Sequence, residues 1–261
     1  SGHHHLGGQR FLFAPDQQIL ERMIHHMILF QPRMHGVDII QQADIHVRIK
    51  FRQLVELAAQ HKLRVNTIVA DCLDEVLEVF QGVHREIPID KERWMIGHVI
   101  ETSSEQLRVI RELGLIIETI PLTHLWLRGN RFLEEPEAAD QAVAHRDYLD
   151  QGVNFGLGTD NKPYSPFPTI WAAVARQERT TKKVLGPTQI ITRMEALRAI
   201  TMGGAYFCFE ESRRGSLEAG KLADLAVLSD DYLSVPEDEI PELNSILTMV
   251  GGQVVHSSGD I

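Results

Sequence analysis

Between residues 63 and 158 short apolar runs alternate with stretches of helical spacing, and that alternation limits the fold more than any other feature of the 261-residue chain. Residues 63–69, 94–100, 115–120 and 153–158 read as strands, each brief and mostly apolar. A strand apolar on both sides has to be covered on both faces, as in a parallel sheet. The intervening segments supply the cover: helices are expected over 71–80, 103–113 and 136–150. Ser103 stands as the N-cap of the second, Gly114 is its stop, and Gly152 closes the third. Strand–helix alternation at this period gives parallel βα units, hence an α/β fold: a doubly wound sheet or a (β/α)8 barrel of TIM type. Four strands are half of such a barrel.

The flanks differ in character. Ile19, Leu20, Met23, Ile24, Met27 and Ile28 predict a helix over 17–30 that Pro32 ends, and a second is expected over 51–61. After Thr192 come a helix over 193–201, the pair Gly203-Gly204, and short strands near 224–228 and 246–255 with a hairpin at Gly251-Gly252. That tail is too short to hold its own core, so its strands are expected to pair with strands from elsewhere. The division read from the sequence is 1–204 for the barrel portion and 205–261 for a segment returning into a small β domain.

Composition excludes several classes. Apolar residues at 43% and charged residues at 24% are ordinary globular usage. No apolar run approaches the roughly 18–20 residues of a membrane span. A net charge of −10 argues against a general nucleic-acid binder. Cys72 and Cys208 cannot make a disulfide framework, and no secretory leader is legible, so a reducing, cytoplasmic compartment is expected. His3-His4-His5 beside Ser1-Gly2 reads as the end of an affinity tag or as a loop.

In a parallel βα barrel the chemistry sits at the carboxyl ends of the strands. The strand ends here give Asn66, His98, the stretch from Thr119 to His124, and Asp160. An imidazole and a carboxylate from neighbouring strands are ordinary parts of a divalent metal site, and such an aspartate can also take a proton from water. Each also has a plain structural reading. A lone strand histidine is more often a hydrogen-bonded core residue, and Thr159-Asp160-Asn161 is common turn chemistry.

The run Gly215-Ser216-Leu217-Glu218-Ala219-Gly220-Lys221-Leu222-Ala223-Asp224-Leu225-Ala226-Val227-Leu228 resembles the closing signature of the amidohydrolase superfamily. The stretch 192–204 resembles the helix preceding it, Gly158-Thr159-Asp160-Asn161-Lys162-Pro163 the strand-eight motif, and residues 94–99 the strand-six motif. With Pro121-Leu122-Thr123-His124 added, the likeness is to the amidohydrolase family 3 branch, which includes N-substituted formamide deformylase-like enzymes. It covers about residues 51–255, the C-terminal part of such a protein.

The resemblance implies a (β/α)8 barrel with a small β-sandwich, and a metal-dependent hydrolase of an amide or similar C–N bond. It implies a divalent ion, zinc, one or two per chain. His98 falls at the strand-six metal histidine, and Asp160 at the aspartate that binds metal and shuttles the proton. His124 falls at a histidine able to line the substrate pocket. Asn66 stands where the strand-five histidine belongs, a poor substitute on zinc, and is grouped with the substrate-binding residues. The strand-one His-x-His pair has no counterpart in proper context, nor does a bridging lysine or glutamate. Lys50 and Lys62 read as solvated.

A half barrel would expose sheet edges and an apolar interior, so the full-length protein is expected to be longer than 261 residues. The alternative function is a metal-free binding or scaffold relative, which Asn66 favours. A third is metal-independent lyase or isomerase chemistry in the same pocket. The expected partner is a small-molecule substrate, with neither nucleic acid nor membrane, and a homodimer is the candidate assembly. The remaining eye-catching residues take structural readings: His25-His26, His46 and His61 on helix surfaces, Glu134-Glu135-Pro136-Glu137 as a helix start, Cys72 as a structural thiol, Arg213-Arg214 as loop ion pairs.

Overall fold

The computed structural model describes residues 45–69, 71–160 and 164–259. The expected helix over 17–30, His3-His4-His5 and His25-His26 lie outside them, as does the His46 side chain. The chain divides into two compact units, Ser1–Leu57 and Ala58–Ile261. Helix α1, Ile45–Gln60, begins in the first and ends in the second.

Within the second unit the parallel sheet anticipated from the βα period is present, so the fold is α/β. Strands β1 (Asn66–Ile68), β2 (Met95–Gly97), β3 (Ile116–Thr119) and β4 (Asn154–Leu157) lie side by side in chain order, all parallel. Helices α2 (Leu73–Glu86) and α3 (Ser104–Glu112) connect the first three. Helices α4 (Pro136–Gln141) and α5 (His145–Asp150) lead into the fourth, while α6 (Phe167–Ala175) and α7 (Arg193–Phe207) follow it. The register sets Ile68, Gly97, Glu118 and Gly156 in one row across the sheet.

Alternation along each strand explains the core. Trp94 and Ile96 point to one face and are wholly buried. The Trp94 indole donates to the Leu63 carbonyl at 3.0 Å and meets Phe80 of α2 edge-on, 5.1 Å between rings. Helix α3 starts as its sequence requires. Ser103 Oγ accepts from Gln106 N, and the Gln106 side chain accepts from Ser103 N, satisfying two donors that helix geometry would otherwise leave bare.

Helix α1 starts before the expected 51–61 and α2 runs past the expected 71–80 to Glu86, and two further helices depart from expectation. The single helix over 136–150 is broken between Gln141 and His145. Arg176, fully buried and at φ 48°, captures the carbonyls of Ala142 at 2.8 Å, Val143 at 2.9 Å and Leu185 at 2.7 Å. Carbonyls drawn to a guanidinium cannot close a helical ladder, and Val143 itself turns to φ 47°. Helix α7 runs past Thr201, the end expected from Gly203-Gly204, as far as Phe207. The glycine lets the helix lie against β4, since a Cβ on Gly203 would stand 2.6 Å from the Phe155 carbonyl oxygen.

The tail forms its own antiparallel sheet, β5 (Leu225–Leu228), β6 (Ser245–Val250) and β7 (Gln253–Ser257) in that order. Gly251 and Gly252, both at positive φ, make the β6–β7 turn. Among the described residues these strands therefore pair with each other, not with strands from elsewhere. All five β7 residues are exposed. No described helix is long and apolar enough to cross a membrane.

Candidate active site

Two of the residues singled out from the sequence follow strands directly. His98 comes immediately after β2 with φ 58°, and Asp160 three residues after β4, also with φ 58°. Because the strands are parallel, both leave the sheet at its carboxyl end. A left-handed backbone at a non-glycine residue costs energy and marks an abrupt turn out of the strand. His124 lies in the π-helical turn Leu122–Leu127 after β3 and is buried. Its ring stands 6.0 Å from that of His98, inclined at 62°. Asn66 differs from its expected place: it opens β1, opposite Met95, instead of closing the strand. The ladder starts there: Leu63 N is spent on the Ala58 carbonyl, and the first rung to β2 is the Val65 carbonyl accepting from Met95 N. Asn66 still borders the cleft over this sheet face.

That cleft, about 380 Å3, is also lined by Ile68, Met95, His98, Glu118 and Phe207. Glu118 is the residue that sequence reasoning passed over. Its Oε2 accepts from the His98 main-chain N–H at 3.1 Å. The carboxylate fits because the neighbouring strands carry glycine at the level it occupies. A Cβ on Gly97 would come within 3.2 Å of Oε2, and one on Gly158 would collide with Oε1. The signal was available: one acid inside the apolar run Ile116-Ile117-Glu118-Thr119-Ile120, with glycines in the two adjacent strand segments.

The electrostatics join these groups. Burial raises the Glu118 pKa above the ordinary carboxylate value; the His98 N–H and ring charge pull it back, and Asp160 pushes it up. Burial lowers His124 to about 4, helped by the charges of His98, Arg128 and Arg131 and opposed by Asp160. His124 is therefore neutral near pH 7. Its Nδ1 is buried with no hydrogen-bond partner. An unpaired buried ring nitrogen calls for a physical explanation, and a bound ligand is one.

The donor set suits a divalent ion in kind, since imidazole nitrogen and carboxylate oxygen are what zinc takes. It is partial, however: among the described residues no three His, Cys, Asp or Glu side chains converge closely enough to form a metal site. By donor type alone, His98, Asp160 and the orphaned His124 ring are the residues that would hold such an ion.

A model described as the amidohydrolase family, of the family 3 branch, matches residues 7–256. The chain belongs to the amidohydrolase family. Among relatives of this amidohydrolase, the N-substituted formamide deformylase of Arthrobacter pascens is 31% identical over 199 residues, which is 73% of this chain and 36% of that protein. The structure of an uncharacterised metal-dependent hydrolase from Pyrococcus furiosus superposes with a TM-score of 0.57 at 25% identity, over 72% of this chain and 38% of the other. An adenosine deaminase from Xanthomonas campestris with bound zinc shares the fold, with a TM-score of 0.57 at 18% identity over 82% of this chain and 50% of its own. The chain thus spans 36% of the length of the curated deformylase it matches.

Other residues of this amidohydrolase keep structural parts. Burial and the nearby Glu75 and Asp71 raise the Cys72 pKa, which keeps the thiol protonated. Arg213 pairs with Glu210, and Arg214 with Glu210 and Asp224. Lys62 and His61 are exposed.

Proposed function

We propose that this amidohydrolase is a metal-dependent hydrolase of an amide or similar C–N bond in a small molecule. The observation that carries the reading is that the His98 ring and the buried His124 ring stand 6.0 Å apart at the carboxyl end of the parallel sheet, the end from which the chain also leaves β4 towards Asp160. The deformylase of Arthrobacter pascens, which acts on N-substituted formamides, and the zinc in the Xanthomonas campestris deaminase support it. We further propose that the four parallel strands are the later half of a (β/α)8 barrel. The tail sheet would then be its share of a small β-sandwich.

A bound divalent ion, zinc on this reading, lowers the pKa of a water towards neutrality and polarises the scissile carbonyl. His98 and Asp160 would hold such an ion. Asp160, exposed at the rim, takes the proton of the attacking water and returns it to the leaving nitrogen. Neutral His124 orients the carbonyl by a hydrogen bond, and its burial keeps competing water away. Ile68, Met95 and Phe207 give the cleft an apolar side for the substituent on nitrogen.

The test is hydrolysis of simple N-alkyl formamides with zinc supplied. Asp160→Asn should remove turnover while the circular dichroism spectrum is unchanged; retained turnover takes Asp160 out of the mechanism. Asn66 in place of an imidazole favours a second reading, a binding protein of the same fold without metal. Metal analysis of tag-free protein separates the two, with about one equivalent of zinc or more supporting the enzyme and none the binder.

A further inference from the structure

Glu118 is the charged side chain of the cleft to which the proposed mechanism gives no task. Its surroundings are built in detail. The carboxylate sits on the same row as Gly97 and Gly156, and Gly158 follows two residues after Gly156. Two of these glycines leave room that a methyl group would fill, one against each carboxylate oxygen. Oε2 accepts from the main-chain N–H of His98, the first residue beyond β2, whose φ is 58°. An amide at the point where the chain turns out of a strand needs a hydrogen-bond partner there. Glu118 is that partner.

The geometry points to Glu118 as the positioning residue of His98: by holding the His98 amide it fixes the direction in which the imidazole enters the cleft. This inference rests on the proposed role of His98 as a metal ligand, yet its physical content is the hold on one backbone turn. The strand β3 is rigid and central, its Ile116, Ile117 and Thr119 fully buried, so the carboxylate is anchored from behind. A flexible loop could not set a ligand's orientation as closely, and misdirected ligands cost metal affinity of the order of 10–100-fold when their outer partners are removed. The acceptor, not the charge, is what the amide requires. A glutamine at 118 can supply the same oxygen; an alanine cannot.

The experiment uses the whole chain with Glu118→Gln, Glu118→Ala and Gly158→Ala, each checked for native circular dichroism and melting. Zinc binding is followed by titration, the His98 ring by its 1H–13C resonances, and the His98 amide by hydrogen exchange. Glu118→Gln should keep zinc affinity within about twofold and leave the ring resonances in place. Glu118→Ala should weaken zinc roughly 10–100-fold, shift the ring resonances and speed exchange of the amide. Gly158→Ala, which drives a methyl group against Oε1, should resemble Glu118→Ala. A folded Glu118→Ala protein with unchanged resonances, exchange and zinc affinity overturns the inference. So does Glu118→Gln failing as badly as alanine, because the charge and not the held amide would then matter. If the unaltered protein binds no zinc, the hydrolase reading fails, and the ring resonances and amide exchange still decide the role of Glu118. Should Glu118→Ala fail to fold, Glu118→Gln and Gly158→Ala carry the same decision.

Discussion

Thr119 Oγ1 and His145 Nε2 lie 3.0 Å apart with both residues wholly buried, so that the last residue of β3 is bonded to the first residue of α5. The His145 ring also stacks on Phe155 of β4, 5.2 Å between centroids and 18° between planes. One imidazole thereby joins a helix to two strands behind the candidate site.

Acid stability should reflect that arrangement. Burial first, and the charge of Arg176 second, hold the His145 pKa well below its ordinary value. The unfolded chain takes up a proton on this ring as the pH falls below about 6.5, while the folded chain does not, so protons favour unfolding. The stabilising share of neutral His145 is present above that pH and lost as the pH drops towards the folded value. His124, brought down to about 4, acts in the same sense between about pH 6.5 and 4. Urea unfolding at intervals across that range should show stability falling with acidity. His145→Gln, which keeps a donor for Thr119, should reduce the slope, by at most about 1.4 kcal/mol per pH unit. An unchanged slope would mean that His145 is already accessible to protons.

Arg176 should be about as costly to replace as a buried leucine. Its guanidinium donates to the carbonyls of Leu185, Ala142 and Val143, and its second NH2 hydrogen reaches Ala139 at 3.5 Å. Burial brings its pKa down to about 10, so it remains charged at neutral pH. Arg176→Met fills similar volume but strands several buried carbonyls without donors, for a loss of roughly 3 kcal/mol. For a unit of this size that is a fall in Tm of roughly 6–12 °C by calorimetry. Arg176→Lys should recover little, because one ammonium cannot span acceptors that the planar fork reaches together. Full recovery with lysine would show that the charge alone matters.

What the sequence made legible was the local physics. The four strands, the Ser103 cap with Gln106 and the Gly251-Gly252 hairpin all depend on residues near one another in the chain, and all are found. What it hid was decided by distant partners. The break near Val143 comes from Arg176, more than thirty residues on, and no periodicity in 136–150 announces it. Glu118 reads as a blemish in a strand until Gly97 and Gly158 stand on either side of it. His124 was legible from its place after a strand and from the resemblance, but its burial and its 6.0 Å approach to the His98 ring were not.

The adjacent glycines of α7 should respond in opposite directions. A Cβ on Gly203 would stand 2.6 Å from the Phe155 carbonyl oxygen and 3.2 Å from the Gly156 Cα, both main-chain atoms that cannot step aside. One on Gly204 meets nothing within 4 Å. Gly203→Ala must therefore lift the helix from β4 and destabilise the protein. Gly204→Ala gains helix propensity and should stabilise by up to about 1 kcal/mol. Chemical denaturation of the two single variants checks the pair, and equal effects would place α7 farther from β4.

Zinc should stabilise the folded chain through His98 if the proposed function holds. A ligand that binds only the native state adds about 2.7 kcal/mol at a hundred times its dissociation constant, and this appears as a rise in Tm that saturates with added metal. A chelator in excess should return the melting curve to its metal-free position, and fresh zinc should restore it. His98→Ala should melt at the same temperature with or without zinc. His61→Ala, at an exposed position past the end of α1, should keep the full rise. The comparison matters because thirteen histidines give the unfolded chain weak sites of its own, and those act against the native state. A rise in Tm that survives His98→Ala but not loss of another histidine would move the site away from the carboxyl end of β2.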